Sequence, residues 1–233
     1  MSSAITVSGL RKTYGSFVAV DDVDLQVESG EVFAFLGPNG AGKTTTIDIL
    51  TGAQRRTSGT VSVLGRDPQN DEREWRAQVG VVPQGTADYQ ELTVHEVIDH
   101  FATFYPDPFP TEQLMDMVGL RAKTKTYTTK LSGGQRRRLD VAVGVVGRPR
   151  LLFLDEPTTG LDPEARREAW ELVRLLTGTG MTTVLTTHYL DEAQELSQRA
   201  GIIVRGRIMH VGTLGELARL TGRRYRVSYD LDP

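Results

Sequence analysis

The sequence predicts an α/β fold built on a mostly parallel sheet, and three features point to it. Short apolar runs alternate with helical stretches in both halves of the chain. A glycine-rich turn joins one apolar run directly to a helix. Between about Gly85 and Val146 the pattern becomes mostly helical, so this block reads as an insertion into the sheet or as a subdomain beside it. Strands interleaved with helices imply right-handed crossovers.

The elements follow in order. Ile5-Thr6-Val7 reads as a strand leading to a turn at Tyr14-Gly15-Ser16. Val23, Leu25 and Val27 then alternate with polar neighbours. Ser29-Gly30 marks a second turn, and Glu31 to Leu36 forms a strand that runs into the glycine-rich loop. A helix starts near Thr44 and turns Ile47, Ile49 and Leu50 inward; another strand covers Gly59–Gly65. Val94, Val97, Ile98 and Phe101 recur at helical spacing until Pro106, Pro108 and Pro110 break the pattern. Helices are then expected over Thr111–Val118 and after Gln135. The alternation resumes with strand Leu151–Leu154, helix Pro163–Leu176, strand Met181–Thr186 and helix Leu190–Ser197. A last helix, Leu214–Leu220, precedes Tyr225–Tyr229, which alternates like a strand.

Bulk properties narrow the function. A chain of 233 residues suits one large domain or one domain with a small appendage, and a net charge of −3 does not provide the basic footprint of a nucleic-acid binder. No apolar run reaches the ~20 residues that span a bilayer, and Met1–Ile5 does not open like a secretory signal. The chain has no cysteine, which excludes disulfides and thiolate metal sites; a cytoplasmic location is expected.

Two segments form a nucleotide site. Gly37-Pro38-Asn39-Gly40-Ala41-Gly42-Lys43-Thr44-Thr45 lies between a strand and a helix, where backbone N–H groups and a helix N-terminus favour polyphosphate. There Lys43 reaches the β- and γ-phosphates and the Thr44 hydroxyl ligates Mg²⁺. Leu151 to Leu154 end in Asp155-Glu156. An acid at the carboxyl end of a buried parallel strand suits a metal, and the next carboxylate suits a base that polarises the attacking water. Between these segments lies Leu131-Ser132-Gly133-Gly134-Gln135, a serine hydroxyl with flexible backbone amides at the start of a helix. The basic run Arg136-Arg137-Arg138 that follows reads as a solvated helix face.

In this order, these motifs resemble those of the ATP-binding cassette (ABC) ATPases over about Ile5 to Gly212. The resemblance implies a P-loop NTPase-like, mostly parallel sheet with an N-terminal antiparallel β subdomain and an inserted α-helical subdomain at about 85–146. Residues 1–220 would form the cassette and 221–233 a C-terminal extension, the start of a regulatory region. It implies ATP and Mg²⁺ as ligands. It also implies a head-to-tail dimer in which Ser132, Gly133, Gly134 and Gln135 meet the ATP held by the other chain's phosphate loop. Tyr14 is similar to the aromatic that stacks on adenine. Gln84 is similar to the glutamine that senses Mg²⁺, and His188 to the histidine that contacts the γ-phosphate. Asp162 resembles the residue that communicates across the dimer, and with Pro163 it also reads as a helix N-cap. A single cassette with a short interval between its motifs suits a transporter subunit at the cytoplasmic face of the membrane. Its membrane permease would be encoded separately, and nucleic acid is not an expected partner. Thr44-Thr45-Thr46, Gln135–Asp140 and His188–Ala193 are similar to bacterial exporters, the daunorubicin-resistance type among them. An importer, or a soluble cassette acting on nucleic acid or ribosomes, stays open as the alternative.

Overall fold

The computed structural model describes residues 3–70, 73–85, 89, 91–178 and 180–221. Two long strands come first, β1 (Ser3–Tyr14) and β2 (Phe17–Glu28), followed by β3 (Val32–Leu36) and α1 (Lys43–Leu50). Next are β4 (Ser58–Val63), the short α2 (Arg73–Arg76) and β5 (Val79–Val82). The helices α3 (Val94–Ala102), α4 (Thr111–Met117) and α5 (Gly133–Val145) then precede β6 (Leu151–Asp155). The chain continues through α6 (Pro163–Thr177), β7 (Thr182–Thr187), α7 (Leu190–Leu196), β8 (Arg199–Val204), β9 (Arg207–Thr213) and α8 (Leu214–Thr221).

Two sheets result. β2-β1-β4 is antiparallel, and β5-β6-β7-β3-β8-β9 is parallel except for its last strand. This matches the expected mostly parallel sheet with an antiparallel N-terminal partner. Alternation of side chains across the central sheet builds two cores. Val32 and Ala34 of β3, with Leu152 and Leu154 of β6, face the helices; Phe33, Phe35, Leu151 and Phe153 face the antiparallel sheet. Every residue of β6 is buried, as suits a central parallel strand covered on both faces. Phe33 and Phe35 pack edge to face with centroids 5.3 Å apart. Fully burying each such side chain contributes about 1.5–3 kcal/mol.

Helix starts are written in side chains. Thr93 and Glu96 form a reciprocal capping box on α3, and Ser132 and Gln135 form another on α5. Asp162 caps α6 by accepting from the N–H groups of Glu164 (3.0 Å) and Ala165 (2.9 Å), with Pro163 at the first helical position. The helix expected after Gln135 therefore starts earlier, inside the pentapeptide at Gly133.

α3, α4 and α5 all lie between β5 and β6, which are neighbours in the sheet. α5 also presses on β5. A Cβ on Gly144 would come 2.5 Å from Val82 Cγ2, and one on Gly80 would come 2.2 Å from the Gly144 carbonyl oxygen. Only glycine permits that approach. β5, β8 and β9 were not anticipated as strands. Tyr225–Tyr229 lies outside the described residues. Among those residues, no helix is long and apolar enough to cross a membrane.

Candidate active site

The phosphate loop joins β3 to α1 at the carboxyl end of the central sheet. Packing requires two of its glycines. A Cβ on Gly37 would lie 2.3 Å from the Ile203 carbonyl oxygen. Gly42, at φ 101° and serving as N-cap of α1, would place one 2.6 Å from the Ala19 carbonyl oxygen. The loop is thus clamped between β2 and β8. Lys43, almost fully buried, donates to the carbonyls of Gly37 (2.8 Å) and Pro38 (3.1 Å) and lies 3.2 Å from Glu156 Oε1.

The end of β6 supplies the acids. Asp155 is buried; its Oδ2 accepts from the Thr44 hydroxyl at 3.0 Å and its Oδ1 from the Thr186 hydroxyl. Glu156 starts the next turn with its backbone in the left-handed region, φ 45°, which non-glycine residues avoid. Its N–H donates to the Thr186 hydroxyl at 2.9 Å, and its Oε2 accepts from Gln84 Nε2 and from the Thr159 hydroxyl, each at 3.0 Å. Burial pushes the Glu156 carboxyl up. The hydrogen bonds from Thr159 and Lys43 and the charges of Lys43 and His188 outweigh it, so its pKa falls below the ordinary value. His188 Nδ1 lies 3.5 Å from Glu156 Oε1 and is a buried nitrogen without a hydrogen-bond partner.

Lys43, Thr44, Gln84 and Glu156 line a cavity of about 380 Å³ with Asn39, Gly40, Gly42 and Thr45, and with Phe17 and Ala19 on one side. Asp155, bonded to Thr44, and His188, beside Glu156, stand behind this lining. At its edge Thr44 meets the Asp155 carboxylate, a pair of hard oxygen donors, and Mg²⁺ normally takes few protein ligands beside substrate phosphates. The donor set therefore fits Mg²⁺. The glycine cradle and the inward Lys43 fit a polyphosphate.

The structure does not bring all the expected residues together. Tyr14 stands outside the cavity wall, half-exposed, with Lys12 Nζ 4.7 Å from its ring centre and Gln54 Nε2 3.2 Å from its hydroxyl. Phe17, paired with Tyr14 across the β1–β2 hairpin and 62 % exposed, lines the cavity in its place. No motif in the sequence marks Phe17; its position three residues after Tyr14 is the available signal. Ser132, Gly133, Gly134 and Gln135 do not line the cavity either. They sit at the start of α5 near Leu161, whose Cδ2 would be 3.9 Å from a Cβ on Gly133; Asp162 follows directly. Ser132 Oγ accepts from the Gln135 N–H at 3.3 Å, and Gln135 Oε1 accepts from the Ser132 N–H at 3.1 Å.

The basic run is not the solvated helix face expected of it. Arg137 is buried rather than solvated, because α5 turns it toward the sheet. Its guanidinium donates to the carbonyls of Pro83 (2.6 Å), Pro157 (2.9 Å) and Asp155 (3.0 Å). Arg136 donates to the Thr128 carbonyl, and Arg138 to the Val118 carbonyl and Glu168. All three arginines are spent on the protein itself. Asp140, one turn beyond Arg137, is buried with its Oδ2 lacking any hydrogen-bond partner, and burial pushes its carboxyl up to about 6.

Residues 20–159 match the family model described as ABC transporter. The chain belongs to the ABC transporter family. It is 42% identical over 224 residues to the daunorubicin/doxorubicin resistance ATP-binding protein of Streptomyces peucetius, covering 94% of this chain and 68% of that one. To the Nod factor export ATP-binding protein I of Ralstonia nicotianae it is 39% identical over 218 residues, 91% of this chain and 68% of that one. A solved ATP-binding subunit of an ABC transporter superposes with a TM-score of 0.82 at 27% identity, over 94% of this chain and 93% of that one. As an ABC cassette the chain has the ATPase fold expected from its sequence.

Proposed function

We propose that this chain is the ATP-hydrolysing subunit of a bacterial ABC exporter of the drug- and antibiotic-resistance type, acting peripherally at the cytoplasmic face of the membrane. The observation that carries the reading is the convergence of Lys43, Thr44, Gln84 and Glu156 on one cavity, with Asp155 bonded to Thr44 behind it, in an ABC cassette. Similarity to proteins named for daunorubicin resistance and Nod factor export supports export over import. Residues 1–220 form the cassette, with a helical subdomain at about 85–146.

Thr44 and Asp155, with Gln84, would hold Mg²⁺, which when bound neutralises charge on the β- and γ-phosphates. Lys43 adds positive charge at the same phosphates. Glu156, its pKa lowered, is ionised and accepts a proton from the attacking water. The water oxygen bonds to the γ-phosphorus, the bond to the β–γ bridging oxygen breaks, and ADP and inorganic phosphate leave. His188, whose Nδ1 lies 3.5 Å from Glu156 Oε1 without a hydrogen-bond partner, would contact the γ-phosphate. Ser132, Gly133, Gly134, Gln135 and Asp162 lie outside this cavity, which supports their use on the ATP of a second, head-to-tail copy. The movement would reach a separate membrane subunit through the groove beneath Gln84 and the helical block.

Glu156→Gln tests the assignment. Turnover should fall about 10²–10⁴-fold while ATP binding persists and a dimer accumulates with ATP. Undiminished phosphate release would reject it.

A further inference from the structure

We propose that Arg137 is a positioning residue for hydrolysis: its guanidinium holds the backbones that carry Gln84 and Glu156 in the register their side chains need. The proposal rests on the reading of Gln84 and Glu156 as parts of the hydrolytic site.

The bonds of Arg137 show the selectivity. Nη1 reaches the carbonyl of Pro83, the residue before Gln84. Nη2 reaches the carbonyl of Asp155, in the peptide that enters Glu156. Nε reaches the carbonyl of Pro157, just after Glu156. Strands β5 and β6 run side by side with Val82 opposite Leu154, so these carbonyls emerge together past the last rung of the ladder. One planar fork fixes three acceptors from two segments, a geometry that lysine cannot reproduce.

Glu156 is where such fixing matters. Its φ of 45° is a conformation that persists only when its surroundings dictate it, and Arg137 grips the chain on both sides of it. The Gln84–Glu156 side-chain bond of 3.0 Å spans the same two segments. Loss of the fork would let Pro83 and Asp155 separate and that bond lengthen. Because Arg137 projects from α5, whose first turn holds Gly133 to Gln135, the same fork ties α5 to the hydrolytic carboxylate.

The test is steady-state ATPase kinetics with nucleotide-binding and thermal-denaturation controls on Arg137→Met, Arg137→Lys, Gln84→Ala and the Arg137→Lys/Gln84→Ala double variant, beside Glu156→Gln. Arg137→Met should lower kcat at least tenfold with ATP affinity within about twofold of the parent. Arg137→Lys should recover only part of that loss. In the Gln84→Ala background, Arg137→Lys should cost much less than it does alone, since both act on one contact. A parental kcat in folded Arg137→Met, or losses that multiply in the double variant, overturns the proposal. If Arg137→Met does not fold, Arg137→Lys and its double variant decide by the same criteria. Undiminished hydrolysis in Glu156→Gln overturns the parent assignment and this one with it, whereas an inactive Glu156→Gln beside a fully active Arg137→Met overturns this one alone.

Discussion

Asp140→Asn should stabilise the protein at alkaline pH and leave it unchanged in acid. Asp140 sits on α5 with one carboxyl oxygen buried and unpaired, and its pKa stands at about 6 against 3.8 for a free aspartate. Burial is the main cause; Arg137 and then Arg136 pull the other way by less. The folded state thus binds a proton that the unfolded chain has released between those two values. Stability from this residue is intact below about pH 4, falls as pH rises through the interval, and is fully lost above about pH 6. The rise from 3.8 to about 6 is worth about 3 kcal/mol, and nearer 2 kcal/mol once solvent screening is allowed for. Asparagine keeps the shape and removes the charge. At pH 8 it should raise Tm by roughly 4–8 °C in a chain of this size; at pH 4 the two proteins should melt within about 1 °C of each other. Paired melting curves in matched buffers between pH 4 and pH 8 measure the difference. A Tm difference that does not change with pH, or an asparagine variant less stable at pH 8, would refute the reasoning.

Other substitutions probe the packing and the site. Gly144→Ala places a methyl group 2.5 Å from Val82 Cγ2, inside a fully buried contact, and should cost about 1–3 kcal/mol, read as a lower Tm. Thr186→Val removes the hydroxyl that joins Asp155 Oδ1 to the Glu156 N–H; a loss of about 1–3 kcal/mol in stability should accompany reduced phosphate release. Phe17→Ala removes an exposed ring from the cavity wall, so ATP affinity, followed with a fluorescent analogue, should drop about tenfold with Tm unchanged. Unaltered affinity would place the adenine elsewhere, against Tyr14 for instance.

The phosphate loop, Asp155-Glu156 and the start of α5 were legible in the sequence because each packs its chemistry into consecutive residues. The long edge was not. In β9 only Ile208 and Gly212 are even partly covered, so no apolar alternation marks it; pairing with β8 makes it a strand. β5 has four residues including Gly80, whose missing side chain answers to α5 rather than to any strand preference. Arg137 looked solvated because composition alone cannot distinguish arginines in a row. Spacing could have done so: Arg137, Val141 and Val145 fall four residues apart, on the stripe α5 buries. Tyr14 was located correctly at the hairpin tip, but which ring of the pair faces the cavity depends on how the β1–β2 hairpin twists, a property of pairing rather than of either residue.

The φ of 45° at Glu156 also bears on engineering. Glycine would adopt that angle freely, so the position proposed to supply the base for hydrolysis is one where the backbone favours a different residue. A library of this chain selected for heat resistance alone should therefore drift toward glycine or asparagine at 156 and yield sturdy proteins that bind ATP and do not split it. Any such campaign needs an activity screen at this codon from its first round.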